Sequence, residues 1–416
     1  MTTMDAMAKV ARLPVFLAVA GALILNGASN LLTEASPPLA SRLNPLNTEA
    51  RINRALDILK RKDASASELQ EAARYTRATM GLSPADARVY SLLANIKLAQ
   101  KEPEEAAALF KKALRQAPTE RSALLNMIRM AARQGDLKTV VEKLDILLRR
   151  WPGEFERVKK LLLAMTGSAS GRILLQDKLL EHPPWRAKAF TFLLETPSGR
   201  DLVRDVIFQE KRKGGKVNLH EITPLLHAYL RAGNVLTSYR SFVFTLDDAE
   251  RQAMGYVFDP EFRLKPDHRP FAWRIRPGGD VEVDYPWYGS DGKGGLSIQF
   301  TDAPARLGNI YQYLALLPGR YHLTVRASAN SLVAPKGIYW DMSCLNKSAH
   351  ILNLPIKDGS YRNKIFSASF TIPPGCPAQI LVLGTRLRTP SWRARYRGSI
   401  IFHEVRATRE METSEQ

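Results

Sequence analysis

Three carboxylates, Asp280, Glu282 and Asp284, alternate with Val281 and Val283 and so share one face of an extended strand. Paired carboxylates can do the acid-base work of glycosidic cleavage, and oxygen ligands can hold calcium. Same-face neighbours on a strand stand roughly 6–7 Å apart, and nothing nearby suggests a cleft, so a solvated edge is the simpler reading. Further on, Trp287 and Tyr288 stand in the turn-rich YPWYGSDGKGG, and Trp392 stands in RTPSWRARYRG with Arg386, Arg388, Arg393, Arg395 and Arg397 around it. An aromatic plate can cover the apolar face of a pyranose, and guanidinium groups can pair with uronate or pyruvate carboxylates. Trp287, Tyr288, Trp392, Arg393 and Arg395 are therefore the candidate glycan contacts. The alternative is that the tryptophans cap a β-sandwich and the arginines are solvated. His220 and His227 share a helix face, but no cysteine or carboxylate matches their spacing, which leaves them structural or surface residues rather than metal ligands. There is no Ser-His-Asp order, no nucleotide-binding glycine loop and no metal-ligand cluster, so no catalytic residue, cofactor or metal is expected. Cys344 and Cys376 are the only cysteines. They read either as a disulfide or as two small buried thiols.

Composition limits the partners. The 416 residues carry a formal charge of +19, which favours nucleic acid, anionic lipid or an acidic polysaccharide. No nucleic-acid motif accompanies the sharpest basic cluster, Lys211 to Lys216, which reads as a solvated loop. Residues 13 to 25 are uncharged and apolar, and extending the segment to Leu32 gives about the length needed to span a bilayer. Lys9 and Arg12 precede it, which places the start in the cytoplasm and the body outside. The expectation is a single-pass inner-membrane anchor. The alternative is a cleaved signal peptide ending near Gly27 or Ser29. Either would export the body and make nucleic acid an unsuitable partner.

The firmest pattern lies in the middle. ARVYSLLANIKLAQKEPEEAAALFKKALRQAP, from Ala87 to Pro118, reads as two helices broken at Glu102-Pro103. Tyr90, Leu93, Ala94, Ala106, Phe110, Ala113 and Pro118 fall on the signature positions of a tetratricopeptide repeat, with Lys97 where an aromatic is usual. Small residues at Ala94 and Ala106 let the helices approach, and Phe110 plugs the gap to the next hairpin. Prolines recur at Pro84, Pro118 and Pro152. Such repeats bury a core only when stacked, so residues 48–246 are expected to form a tetratricopeptide-like α-solenoid that binds a protein partner.

After about Asp259 the period becomes that of strands. Trp273 is expected inward with Phe271 and Ile275, and Trp340 with Met342 and Cys344. Eight or nine short strands separated by Gly and Pro argue for an antiparallel β-sandwich, most simply a jelly roll. FAWRIRPGGDVEV, GGLSIQF, IYQYLALLPGRYHLTVRA and GSIIFHEV, in that order, resemble the jelly-roll carbohydrate-binding modules over roughly residues 258–409.

The expected division is a cytoplasmic start (1–12), an anchor or signal segment (13–32), a linker (33–47), the solenoid (48–246), a second linker (247–257), the sandwich (258–409) and a tail (410–416). That architecture resembles accessory proteins of bacterial exopolysaccharide and capsule biosynthesis. The resemblance implies a non-enzymatic, membrane-anchored periplasmic scaffold for polysaccharide synthesis or export, its solenoid holding a protein and its jelly roll facing an acidic polysaccharide. Alternatives are an envelope assembly factor whose sandwich binds only protein and, further off, an exported glycoside-active enzyme.

Overall fold

Polar caps and prolines cut the first part of the chain into short amphipathic helices. The computed structural model describes residues 2–61, 63–276, 281–286, 295–345, 349–386 and 394–410. The chain forms two compact units, Met1–Arg186 and Ala187–Gln416. The first contains α1 (Thr2–Leu31), α2 (Pro37–Leu43), α3 (Thr48–Lys60), α4 (Ala66–Leu82), α5 (Ala87–Ala99), α6 (Pro103–Gln116), α7 (Arg121–Gln134), α8 (Leu137–Arg150), α9 (Phe155–Met165) and α10 (Ala169–Leu180). Starts and stops have local causes. Ser65 and Glu68 close a capping box on α4. Pro103 opens α6, where its missing N–H costs nothing. Gly135 ends α7 in the left-handed conformation at φ 74°, and Asp136 then caps α8 by accepting from Thr139 N at 3.1 Å.

The α5–α6 hairpin packs as its small residues dictate. Ala94, Ala106, Phe110 and Ala113 are fully buried, and Tyr90 and Leu93 nearly so. They share a cluster with Ala123 of α7, Leu93 excepted, which instead joins Ile52, Ala72 and Ile96. Pro118 lies exposed after α6.

The expected anchor falls within α1; among the described residues no helix is long and apolar enough to cross a membrane. The unbroken apolar run stops at Leu25. Beyond it, polar side chains tie the helix to α2 and α3. Ser29 Oγ donates to Ala40 O at 2.8 Å, Asn47 Nδ2 donates to Ser29 Oγ at 2.9 Å, and Asn44 Nδ2 donates to Asn26 Oδ1 at 2.9 Å. The segment expected as a linker accordingly contains α2. Upstream of these bonds Phe16, Leu17, Leu23 and Ile24 are each more than 60% exposed, at 68%, 61%, 66% and 71%.

The second unit opens with α11 (Arg186–Leu193), α12 (Pro197–Arg212), α13 (Leu219–Arg231), α14 (Val235–Thr245) and α15 (Asp248–Gln252). Among the described residues ten strands follow: β1 (Arg274–Ile275), β2 (Val281–Asp284), β3 (Leu296–Ala303), β4 (Ile310–Leu314), β5 (Gly319–Val333), β6 (Ile338–Cys344), β7 (His350–Ile356), β8 (Gly359–Ile372), β9 (Gln379–Thr385) and β10 (Tyr396–Arg409). Sheet I has the order β1-β4-β9-β6-β7 and sheet II the order β2-β3-β10-β5-β8. All the pairings are antiparallel. Alternation puts Trp273, Trp340 and Phe402 in the shared core, with Trp340 edge-on to Trp273 at 5.6 Å and to Phe402 at 5.4 Å. Cys344, ending β6, is bonded to Cys376 before β9, with their Cα atoms 5.6 Å apart.

His227, half-buried on α13, has its imidazole pushed below its ordinary value of 6.5 by burial and then by the charges of Arg274 and Arg231. The native state therefore binds fewer protons here than the unfolded chain. The stability this gives is present above about pH 6.5 and is lost as pH falls through the depressed native value. The melting temperature should drop between about pH 7.5 and about pH 5.5, and His227→Gln should remove part of that drop. Equal slopes in both proteins would count against it.

Candidate functional site

The outer face of sheet I carries an unusual set of side chains. In β4, Ile310, Gln312 and Leu314 point inward, which turns Tyr311 and Tyr313 out. By the same alternation β6 presents Tyr339, Asp341 and Ser343, β7 presents Ile351, Asn353 and Pro355, and β9 presents Ile380, Val382 and Gly384. Register then lines up Arg274, Tyr311, Val382, Asp341 and Asn353 across all five strands. From Tyr311 to Asn353 the row spans three strand spacings, about 14 Å. That length suits a short oligosaccharide or an extended peptide.

Glycine shapes the middle of the face. A Cβ on Gly384 would lie 2.8 Å from the Tyr339 ring, so the ring lies against that backbone. Tyr339 is pinned there by its hydroxyl, which donates to Thr385 O at 3.1 Å. Polar groups surround it. Arg386 Nη2 donates to Asn353 Oδ1 at 3.3 Å, Asn353 Nδ2 donates to Asp341 Oδ1 at 3.4 Å, and His350 Nδ1 lies 3.3 Å from Asp341 Oδ1. The Arg386 guanidinium stands 5.8 Å from the Tyr339 ring centre, and that of Arg274 stands 5.7 Å from Tyr311. Burial pushes the Tyr313 phenol up, followed by the effect of Tyr311, so it stays neutral and can both donate and accept. Most of these side chains are half-buried. Its chemistry is that of holding: flat rings against apolar faces, with amide, carboxylate and guanidinium groups for hydroxyls and acids.

The residues singled out from the sequence lie elsewhere. Trp287, Tyr288, Trp392 and Arg393 fall outside the described residues. Arg395 is described, and it is engaged: its Nε donates to Asp302 O at 2.9 Å and its Nη2 lies 3.2 Å from Asp302 Oδ2. Arg397 shares the same carboxylate at 2.7 Å. Glu282 and Asp284 point outward from β2 into solvent, and Asp280 is not among the described residues. Of the described arginines noted around Trp392, Arg386 is the one the fold brings to the sheet I face. The tyrosines were missed because outward and inward aromatics alternate within one strand. The only cue was parity: Tyr339 is out of phase with buried Trp340, and Tyr311 with buried Ile310.

Comparison with known proteins adds a family to the helical part. Residues 64–129 match the tetratricopeptide repeat model, a span that runs from before α4 into α7. Among curated proteins none matches the chain. Solved structures resembling parts of it include a CBM4 structure (14% identity, 37% of this chain and 99% of that one, TM-score 0.28). Pseudomonas aeruginosa PilF is similar at 16% identity (47% of this chain and 89% of that one, TM-score 0.27). The enzymatically active domain of bacteriophage CBA120 tailspike protein 4 is similar at 15% identity over 31% of this chain, with a TM-score of 0.23, and only 18% of its own length is spanned. Residues 64–129 of the helical part are thus similar to tetratricopeptide repeats, and a two-sheet antiparallel sandwich follows the helices.

Proposed function

We propose that the protein is a non-enzymatic scaffold whose repeats hold a partner protein and whose sandwich holds an acidic glycan on the outer face of sheet I. The observation that carries this reading is Tyr339 lying against Gly384 and ringed by Arg386, Asn353 and Asp341. Exopolysaccharide or capsule synthesis and export is the setting this reading favours. The Cys344–Cys376 bond supports an exported, oxidising location such as the periplasm. The exposed apolar side chains from Phe16 to Leu25 support attachment of the N-terminal helix to the inner membrane, its first residues cytoplasmic.

The test is calorimetric titration of the full chain with a uronate-containing oligosaccharide, compared with its neutral counterpart. Tyr339→Ala should weaken binding about tenfold, equivalent to about 1.4 kcal/mol. Arg386→Gln should weaken the acidic sugar more than the neutral one and flatten the salt dependence. No heat from the folded protein at high concentrations of both sugars would leave the sandwich as a protein-binding surface, the envelope-assembly reading.

A further inference from the structure

One groove in the first unit has a chemistry that the partner-binding reading leaves unspecified. Leu125, Ile128 and Ala132 of α7 face Val158 and Leu161 of α9 across a cavity of about 400 Å³. Its rim is Arg129, Arg133, Arg157 and Lys160, all exposed, and no acidic side chain lines it. Arg157 is partly neutralised by Glu154, 3.0 Å away, and Arg129 reaches only the amide oxygen of Asn126 at 3.5 Å. Among the described residues, the side chains of Arg133 and Lys160 make no ion pair or hydrogen bond. Cations left uncompensated around an apolar floor suit a ligand that brings both carboxylates and aliphatic groups.

A second observation extends the site along the neighbouring helices. Asn126 Nδ2 donates to Asn95 Oδ1 at 3.0 Å, and Asn95 Nδ2 donates to Ser122 Oγ at 2.9 Å. This half-buried amide row starts beside Arg129 and runs from α7 to α5. Its amide protons are already donated, to Ser91 O and Ser122 Oγ from Asn95 and to Asn95 Oδ1 and Ser122 O from Asn126, so it can offer a peptide only the remaining lone pairs of its amide oxygens. No aromatic ring lines the groove. A pyranose would find no plate there, whereas leucine-like side chains would find a cavity.

We infer that the α7–α9 groove docks a partner segment in which acidic residues alternate with aliphatic ones. The inference rests on the reading of the repeats as a partner-binding surface and gives that partner its chemistry. The experiment uses the full chain and fluorescence anisotropy with short labelled peptides of alternating Glu and Leu, Gln and Leu, or Glu and Ser. The Glu-Leu peptide should bind tightest, lose affinity with salt, and weaken at least about tenfold in an Arg133→Glu, Lys160→Glu double variant. Both substitutions are on exposed side chains, and circular dichroism would verify the fold. Equal Glu-Leu binding by wild type and double variant would overturn the assignment of the groove. Equal binding of Glu-Leu and Glu-Ser would overturn the apolar half of the inference, and an oligouronate arm would then show whether any polyanion suffices. Preference for Gln-Leu would overturn the charge half while leaving the repeats as a peptide reader. No binding of any peptide by the folded chain would overturn this inference, while the repeat surface outside α7 and α9 would remain the place for a protein partner.

Discussion

Phe110→Ala is expected to cost the repeat region about 3–5 kcal/mol, the range for emptying a fully buried aromatic site. The ring has no exposed surface and is enclosed by Tyr90, Ala94, Ala106, Ala113 and Ala123. Four of those five buried neighbours are alanines, with no side-chain length to swing into the space, while Met127, Met130 and Leu109 at the cluster's edge can fill part of it, which places the cost toward the lower end of that range. Stability in stacked repeats passes from neighbour to neighbour. The loss should therefore spread from α5–α6 into α3–α4 and α7–α8, seen as faster amide exchange in all six helices. Phe110→Leu should cost far less, since it keeps much of the volume. If the alanine variant loses under about 1 kcal/mol, the ring is not the plug between hairpins that its burial implies.

How much of this was legible depended on whether the cause was local. The repeats were readable because each signal sits inside one hairpin: Pro103 opens α6, Gly135 turns α7 into α8, and Ala94 meets Ala106 across one short turn. Most strands were readable from parity, and buried Trp273 and Trp340 follow it. Spacing along the chain does not mark β7 as a strand. It is an edge strand, and Pro355 within HILNLPI argues against a strand anywhere but at an edge. Losing β7 hid Asn353 and His350, and with them half of the polar ring around Tyr339. The sheet I face was also hidden because pairing β4 with β9, and β9 with β6, is a fact of topology that spacing along the chain does not contain. For an aromatic residue in a turn, by contrast, spacing along the chain makes exposure easy to infer but not placement.

Arg269→Ala is expected to be comparably damaging in the second unit, for an electrostatic reason. PDHRP reads as a polar loop, yet Arg269 is almost wholly buried. Its Nε donates to Asp267 Oδ2 at 2.6 Å, its Nη2 bonds Glu250 in the first turn of α15, and its guanidinium lies 4.9 Å from the Phe242 ring centre on α14. Phe242 in turn meets Phe258 edge-on at 5.1 Å and Phe271 at 5.6 Å. One side chain thus joins α14 and α15 to the segment that leads into β1. Removing it leaves two poorly hydrated carboxylates facing each other, a change that costs about 3–5 kcal/mol when a buried pair is broken. Adding Glu250→Gln and Asp267→Asn to Arg269→Ala should recover part of the loss, because the stranded charges are then gone. Amide exchange should rise in α14, α15 and residues 256–273, while sheet II stays protected. Recovery by the triple variant would assign the cost to uncompensated charge. No recovery would assign it to the lost packing of the guanidinium on Phe242, and a single-variant loss below about 1 kcal/mol would show the triad to be as weak as an exposed ion pair.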